Sequence, residues 1–342
     1  MPSYVPSMRP RPYADGWRFK DDKELDWKKR FLRSRMPFLP PANEFQVPVH
    51  TGKVPMVYEL DEFWASARWV FLPTILRYAF MKVTGYSVPP VLLFFLHVVH
   101  TMAFLKSYQL KVRSLIIKYG YLDGEVPRDT ISEPMTTFVF ENLISAILVR
   151  PLFFFLLAYR QHELPSLSLW LPLQLFCFTM IVDFIYYWGH RATHEVDALW
   201  TLHKTHHTTK HPNPFLAGFS EEVQAVFDAL GTPVLTYMVY PISFDALYIW
   251  SLYFISIEVM GHSGLRVYYP GVLTSFLLRP FNLNIVVEDH DLHHRYGWGK
   301  SYNYGKQSVF WDQLFGTRGE RLELRDDNVD WHTRVDVGWT KE

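Results

Sequence analysis

Three tight groups of histidine carry the chemistry of this sequence: His190/His194, His203/His206/His207 and His290/His293/His294, with His262 alone between the second and the third. Imidazole is a borderline ligand that suits iron, zinc or copper, and a spacing of three or four residues stacks side chains on one helix face. Adjacent residues such as His206 and His207 point about 100° apart on a helix, which lets neighbours serve different ions. One group could be chance; three predict a polynuclear metal site, with two ions preferred over one. Asp183, seven residues before His190 on the same helical face, is placed to hold the free nitrogen of a ligand histidine and fix its tautomer. Asp183 and Glu258 are both candidate carboxylates at or behind the ligands, and each could equally pair with an arginine.

The bland readings differ from residue to residue. A single histidine near a membrane interface can be a surface residue or a lipid-phosphate contact, but that explanation does not cover three groups together. His211, followed by Pro212 and Pro214, reads as a loop residue, and His50, His162 and His332 read as ordinary surface residues.

The elements that must position these groups are largely apolar. The 342-residue chain has 17% aromatic residues, 34 basic and 34 acidic side chains, and one cysteine. That balance gives no pointer to nucleic acid, and Cys177 has no partner for an intrachain disulfide. Residues 1–62 are polar and charged, with eight Lys or Arg from Arg18 to Arg35, and no removable signal peptide is expected there.

Apolar segments at about Phe63–Thr84, Val88–Lys106, Thr137–Tyr159 and Leu167–Trp188 each approach the ~20 residues that span a bilayer. Arg68, Arg77, His97, His100, Glu141 and Arg150 interrupt the first three, as groups facing a bundle interior or snorkelling do. His97 and His100 are expected to make interhelical hydrogen bonds. Loop charges place both termini in the cytosol, so four crossings return the chain there as His190 begins. A further apolar hairpin, about Val223–Tyr240 and Phe244–Met260, either dips into the membrane or spans it twice. The fold expected is an all-α polytopic transmembrane helical bundle with a cytosolic histidine-rich helical cap.

The run DFIYYWGHRATH from Asp183 to His194, LHKTHH at Leu202–His207, HSG at His262–Gly264, HDLHH at His290–His294 and the trailing FWDQLFGT at Phe310–Thr317 resemble the fatty acid hydroxylase/sterol desaturase superfamily over about residues 136–320. The HSG and HDLHH segments are most similar to methylsterol oxidases. The resemblance implies a membrane-embedded non-haem diiron centre that uses O2 and two electrons to oxidise an unactivated C–H bond of a sterol, fatty acyl or other lipophilic substrate. It implies His190, His194, His203, His206, His207, His262, His290, His293 and His294 as ligands of two Fe ions, with zinc able to substitute on expression. Glu258 falls where some similar proteins place another histidine and would supply a carboxylate.

The chain departs from many sterol-acting members at Ala217–Glu222, AGFSEE, where those carry a His-Pro pair; Ser220, Glu221 or Glu222 would have to replace it. No dinucleotide fingerprint, haem-attachment motif or iron–sulfur cysteine set is present, so electrons must come from outside. By resemblance the donor is cytochrome b5 or its reductase in the endoplasmic reticulum membrane. The basic stretch Lys28–Arg35 could dock that partner or bind anionic lipid.

The organisation expected is an N-terminal cytosolic region (1–62), a transmembrane hairpin and cytosolic loop (63–135), a catalytic domain (136–320) and a cytosolic tail (321–342). Three functions stay open: a hydroxylase or multistep oxidase, a desaturase on the same scaffold, and a histidine-rich membrane protein that transports or stores a metal. Nine histidines exceed the three ligands that a zinc hydrolase usually needs.

Overall fold

A helix that is apolar on every face has no side to offer to water and belongs at the centre of its fold. A computed structural model, which describes residues 16–35, 47–124, 126 and 128–338, puts Phe244–Gly261 in that position. The long helices in chain order are α1 (Trp27–Arg35), α2 (Glu59–Thr84), α3 (Pro90–Tyr119), α4 (Met135–Ala158), α5 (Leu171–Glu195), α6 (222–239) and α7 (Phe244–Gly261). Three short ones follow: α8 (Val272–Leu278), α9 (Val287–Tyr296) and α10 (Phe310–Phe315). The N-terminal and C-terminal regions expected to be cytosolic lie partly outside the described residues, at 1–15, 36–46 and 339–342.

Among the described residues, four helices are long and apolar enough to cross a membrane: α3, α4, α5 and α7. The chain is thus a mostly helical, polytopic membrane protein. The set differs from the four expected spans at one place. The segment expected at Phe63–Thr84 is helical, within α2, but is not among the four; Arg68, Arg77 and Lys82 dilute its apolar character. Phe244–Gly261, left open as a dip or a crossing, is among them. It is the inner member, with 83% of its apolar window buried against 33% for α3 and for α4.

α7 packs against α2, α3, α4, α5, α8 and α9, and Ser243 caps its start by accepting a hydrogen bond from the Ala246 amide. Around it, side chains such as Ile75, Leu76, Phe95 and Val99 face outward, as lipid contact requires.

Several polar groups inside the bundle are paired. Arg77 on α2 meets Asp245 on α7 at 3.3 Å and donates to the Glu163 carbonyl at 2.8 Å. His100 shares a hydrogen bond with the Tyr248 hydroxyl at 2.8 Å, the interhelical contact expected of it, whereas His97 donates to Leu93 O on its own helix. A short parallel pairing of β1 (Val54–Met56) with β2 (Val329–Arg334) ties the segment before α2 to the one after α10.

At 1.5 Å per residue, α5 is roughly 37 Å long, more than the ~30 Å of a hydrocarbon core. Its last turns, with His190 and His194, therefore reach past the apolar layer. α9 and the C-terminal end of α7 meet them there.

Candidate metal centre

The structure divides the nine histidines of the motif into two adjoining buried groups. His190, His194, His203, His207 and His293 form one, and His206, His262, His290 and His294 form the other; in each, the nitrogens available for ligation lie within 4.8 Å of one another. His190 and His194 come from the end of α5, His262 follows α7, and His290, His293 and His294 come from α9. His203, His206 and His207 stand on turns ending in a single 3-10 turn rather than on a regular helix. Even so, His206 and His207 go to different groups, as do His293 and His294. The groups touch: the rings of His207 and His294 are 5.0 Å apart and those of His203 and His206 5.3 Å.

Hydrogen bonds settle which nitrogen faces inward. A carbonyl can only accept, so each imidazole nitrogen beside one carries the proton. The Nδ1–H groups of His190, His206, His262, His293 and His294 donate to the carbonyls of Tyr304 (2.8 Å), Phe219 (2.8 Å), Glu258 (2.8 Å), Tyr302 (2.7 Å) and Thr209 (2.9 Å). His194 donates likewise to Gly299 O, and His203 to Gln224 Oε1 at 2.6 Å. The Nε2 atoms of those seven are therefore bare lone pairs.

Those lone pairs converge. Nε2 of His203 lies 2.9 Å from that of His190 and 3.0 Å from that of His207, and the Nε2 atoms of His262 and His290 are 3.0 Å apart. Nε2 of His194 and of His294 are buried with no hydrogen-bond partner among the described residues. Protons are no remedy: burial, with neighbouring imidazoles adding to it, holds His207, His290 and His294 well below the usual imidazole range and brings His206 down to about 4. Bare nitrogens packed at 3 Å in a dry interior fit metal cations. The donor set, all neutral nitrogen, suits iron, zinc or copper.

The two carboxylates sit elsewhere than expected. Asp183 holds no imidazole; it accepts from the amides of Lys306 and Gln307 at 2.8 Å and from the Ser308 hydroxyl at 2.6 Å. The loop after Tyr304 comes between it and the ligands, and backbone carbonyls do the work assigned to it. Glu258 pairs with Lys306 at 2.8 Å, and it is its backbone carbonyl, not its carboxylate, that anchors His262. Neither carboxylate belongs to a histidine group.

From the stretch expected to replace a His-Pro pair, the Ser220 carbonyl accepts from Asn142 and Glu221 from Thr205. The side chain that reaches a histidine is Gln224, just beyond. His211 is a buried loop residue held by Asp123.

Sequence reasoning missed the anchoring shell, because a backbone carbonyl leaves no mark on residue type. It also missed Asp312, although FWDQLFGT had been singled out. Asp312 accepts from the amides of Tyr304 (2.7 Å) and Gly305 (2.8 Å) and from the Thr317 hydroxyl (2.7 Å), which fixes the loop that anchors His190. Burial pushes its pKa up to about 7. α9 is braced on its far side by Arg128 on Asp291 and by Arg321 on Asp289.

The fatty acid hydroxylase family model matches residues 175–317, the segment that holds all nine histidines. The chain is 39% identical over 245 residues to fatty acid hydroxylase vlmA of a Lecanicillium species, an alignment covering 68% of this chain and 67% of that protein. It is 31% identical over 170 residues to very-long-chain aldehyde decarbonylase GL1-8 of Oryza sativa subsp. japonica, covering 47% of this chain and 61% of that one. Methylsterol monooxygenase 2-2 of Arabidopsis thaliana is 30% identical over 159 residues, covering 46% and 57%. No solved structure matches the chain. The chain belongs to the fatty acid hydroxylase family.

Proposed function

We propose that this protein is a membrane-bound non-haem oxygenase that holds two iron ions, one in each histidine group, and uses O2 and two electrons to hydroxylate an unactivated C–H bond of a lipophilic substrate. The observation that carries this reading is the inward convergence of bare Nε2 atoms in two adjoining groups. The names of the relatives, a fatty acid hydroxylase and a methylsterol monooxygenase among them, support lipid oxidation.

A bound pair of iron ions supplies the redox chemistry, the activation of O2 and the oxidation of the C–H bond. The chain's own residues supply the rest. Carbonyls of Tyr304, Tyr302, Gly299, Phe219, Thr209 and Glu258 fix the tautomer and direction of six rings, and Gln224 those of His203, so these ligand atoms need little rearrangement. Burial of all nine rings keeps water from the reacting centre. Asp183 and Asp312 act one step further back, as positioning residues for the loop 304–308.

The same reading puts the catalytic domain at 136–320, the histidine face on the cytosolic side of the endoplasmic reticulum membrane, and cytochrome b5 or its reductase as electron donor. Several basic groups of α1 are already engaged, Lys28 with Glu141, Lys29 with Glu133 and Arg33 with Asp22, so the donor would meet a partly neutralised surface.

The test is product analysis. Membranes containing the protein, O2 and an electron-donor system are incubated with sterols, fatty acids and sphingoid bases, and the lipids are weighed by mass spectrometry. One added oxygen is expected; loss of two hydrogens would instead identify a desaturase, and no O2-dependent product would favour metal transport or storage.

A further inference from the structure

Two π-helical turns touch inside the bundle, Ser145–Val149 in α4 and Phe227–Gly231 in α6. Such turns are rare and recur at functional sites, because each displaces a backbone carbonyl from the regular ladder. Here Arg150, directly after the first turn, donates its Nε–H to Ala229 O of the second at 2.7 Å.

A cavity of about 130 Å³ opens beside the two turns. Leu105, Leu143, Phe215 and Ile255 give it an apolar wall, and Arg150, Asp228, Glu258 and Lys306 give it a polar end. Glu258 and Lys306 also border the adjoining hollow that His262 and His290 line. The polar end therefore lies between the apolar wall and the four-histidine group.

Two atoms at that end lack a counterpart. Arg150 is only 6% exposed, yet its Nη1 finds no acceptor among the described residues, and neither does Glu258 Oε1 find a donor. A buried charged donor left unpaired is costly, and such groups recur where a ligand completes the set. The ligand's charge follows from the wall. Arg150 and Lys306 share this end with Asp228 and Glu258, two cations and two anions with Lys306 paired to Glu258, so a carboxylate would bring a third anion into a balanced, desolvated site. A hydroxyl adds no charge, and it can accept from Arg150 while donating to Glu258.

We infer that Arg150 and Glu258 bind a hydroxyl group carried by an otherwise apolar lipid, which makes this protein selective for lipid alcohols over free fatty acids and plain hydrocarbons. Arg150 is the specificity-determining residue. The inference rests on the oxygenase reading and adds the class of its substrate. Because the hydroxyl is held close to His262 and His290, oxidation falls near the alcohol end of the lipid rather than at the far end of the chain.

Binding of 1-dodecanol, dodecanoic acid and dodecane is measured by thermal shift on the purified, metal-loaded protein in nanodiscs under nitrogen, with Arg150→Met alongside and metal content recorded for both. A hydrogen bond to a charged donor is worth roughly tenfold or more in affinity. The wild type should therefore prefer the alcohol by about tenfold over both other probes, and Arg150→Met should lose that preference while keeping its metal. Equal or tighter binding of the acid or the alkane, binding of none of the three, or an Arg150→Met protein that keeps the preference would overturn the inference. If Arg150→Met does not fold, the wild-type ranking alone decides. No turnover occurs without O2, so a protein that prefers the alcohol but later oxidises nothing would refute the oxygenase reading and leave this site standing.

Discussion

The Nε2 atoms of His207 and His293, 86 positions apart in the chain, lie 3.1 Å from each other in a fully buried setting. The proton on His293 is at Nδ1, donated to Tyr302 O, so its Nε2 presents a lone pair to His207. One cation held by both atoms gives each a ligand bond, and the predictions rest on that ligation.

Replacing His207 with alanine should remove the ion of the five-histidine group and reduce lipid oxidation by at least about a hundredfold, while His262→Ala should remove the other ion. Metal content per chain, measured on variants that still insert in the membrane, checks this. Full metal loading in both variants would contradict the division into two groups.

Gln224 anchors a ligand nitrogen with a side chain, its Oε1 accepting from His203 Nδ1 at 2.6 Å. Gln224→Leu should lower metal affinity about 10- to 100-fold, the usual effect of losing such a support, and Gln224→Glu should retain most of it. Metal retained after a timed chelator challenge gives the comparison.

Asp183→Ala leaves two backbone amides and a hydroxyl without their acceptor. It should destabilise the protein by about 3 kcal/mol, read as a lowered Tm, whereas Asp183→Asn, which keeps one acceptor oxygen, should lose less. A catalytic carboxylate would show the reverse pattern, with normal Tm and lost activity in Asp183→Asn.

Acid should loosen the metal-free protein within a defined window. The unfolded chain takes up protons at its imidazoles below about 6.5, but the folded chain keeps His206 neutral down to about 4, and burial likewise holds His207, His290 and His294 well below the usual imidazole range. The unfolded state therefore binds more protons, and stability falls as pH drops through 6.5 toward 4. Tm of chelator-treated protein measured from pH 8 to pH 4 should be flat above about 7 and decline below it; a flat profile throughout would contradict neutral burial.

Much of this site was legible because ligand chemistry is written in residue type. Histidine spacing gave the candidate ligands, and the 100° step between neighbours allowed adjacent histidines to serve different ions, although His203, His206 and His207 stand on turns and not on the helix that argument assumed. Where the sequence misled, the cause is geometric. Asp183 shares a helical face with His190, but periodicity cannot show that the loop 304–308 folds in front of it. The anchoring carbonyls of Gly299, Tyr302 and Tyr304 belong to every residue type alike. In the bundle, apolar runs located the helices, but the run at Phe63–Thr84, expected to span, carries enough charge to leave α2 outside the four most apolar ones. The central place of Phe244–Gly261 depends on what packs around it, which no single segment records.

The number and ligation of bound ions decide the matter. Protein purified after iron reconstitution and examined by metal analysis with X-ray absorption at the iron edge should hold two iron ions per chain, ligated mainly by imidazole nitrogen. One ion or none, or a shell dominated by oxygen, would contradict the two-group metal centre.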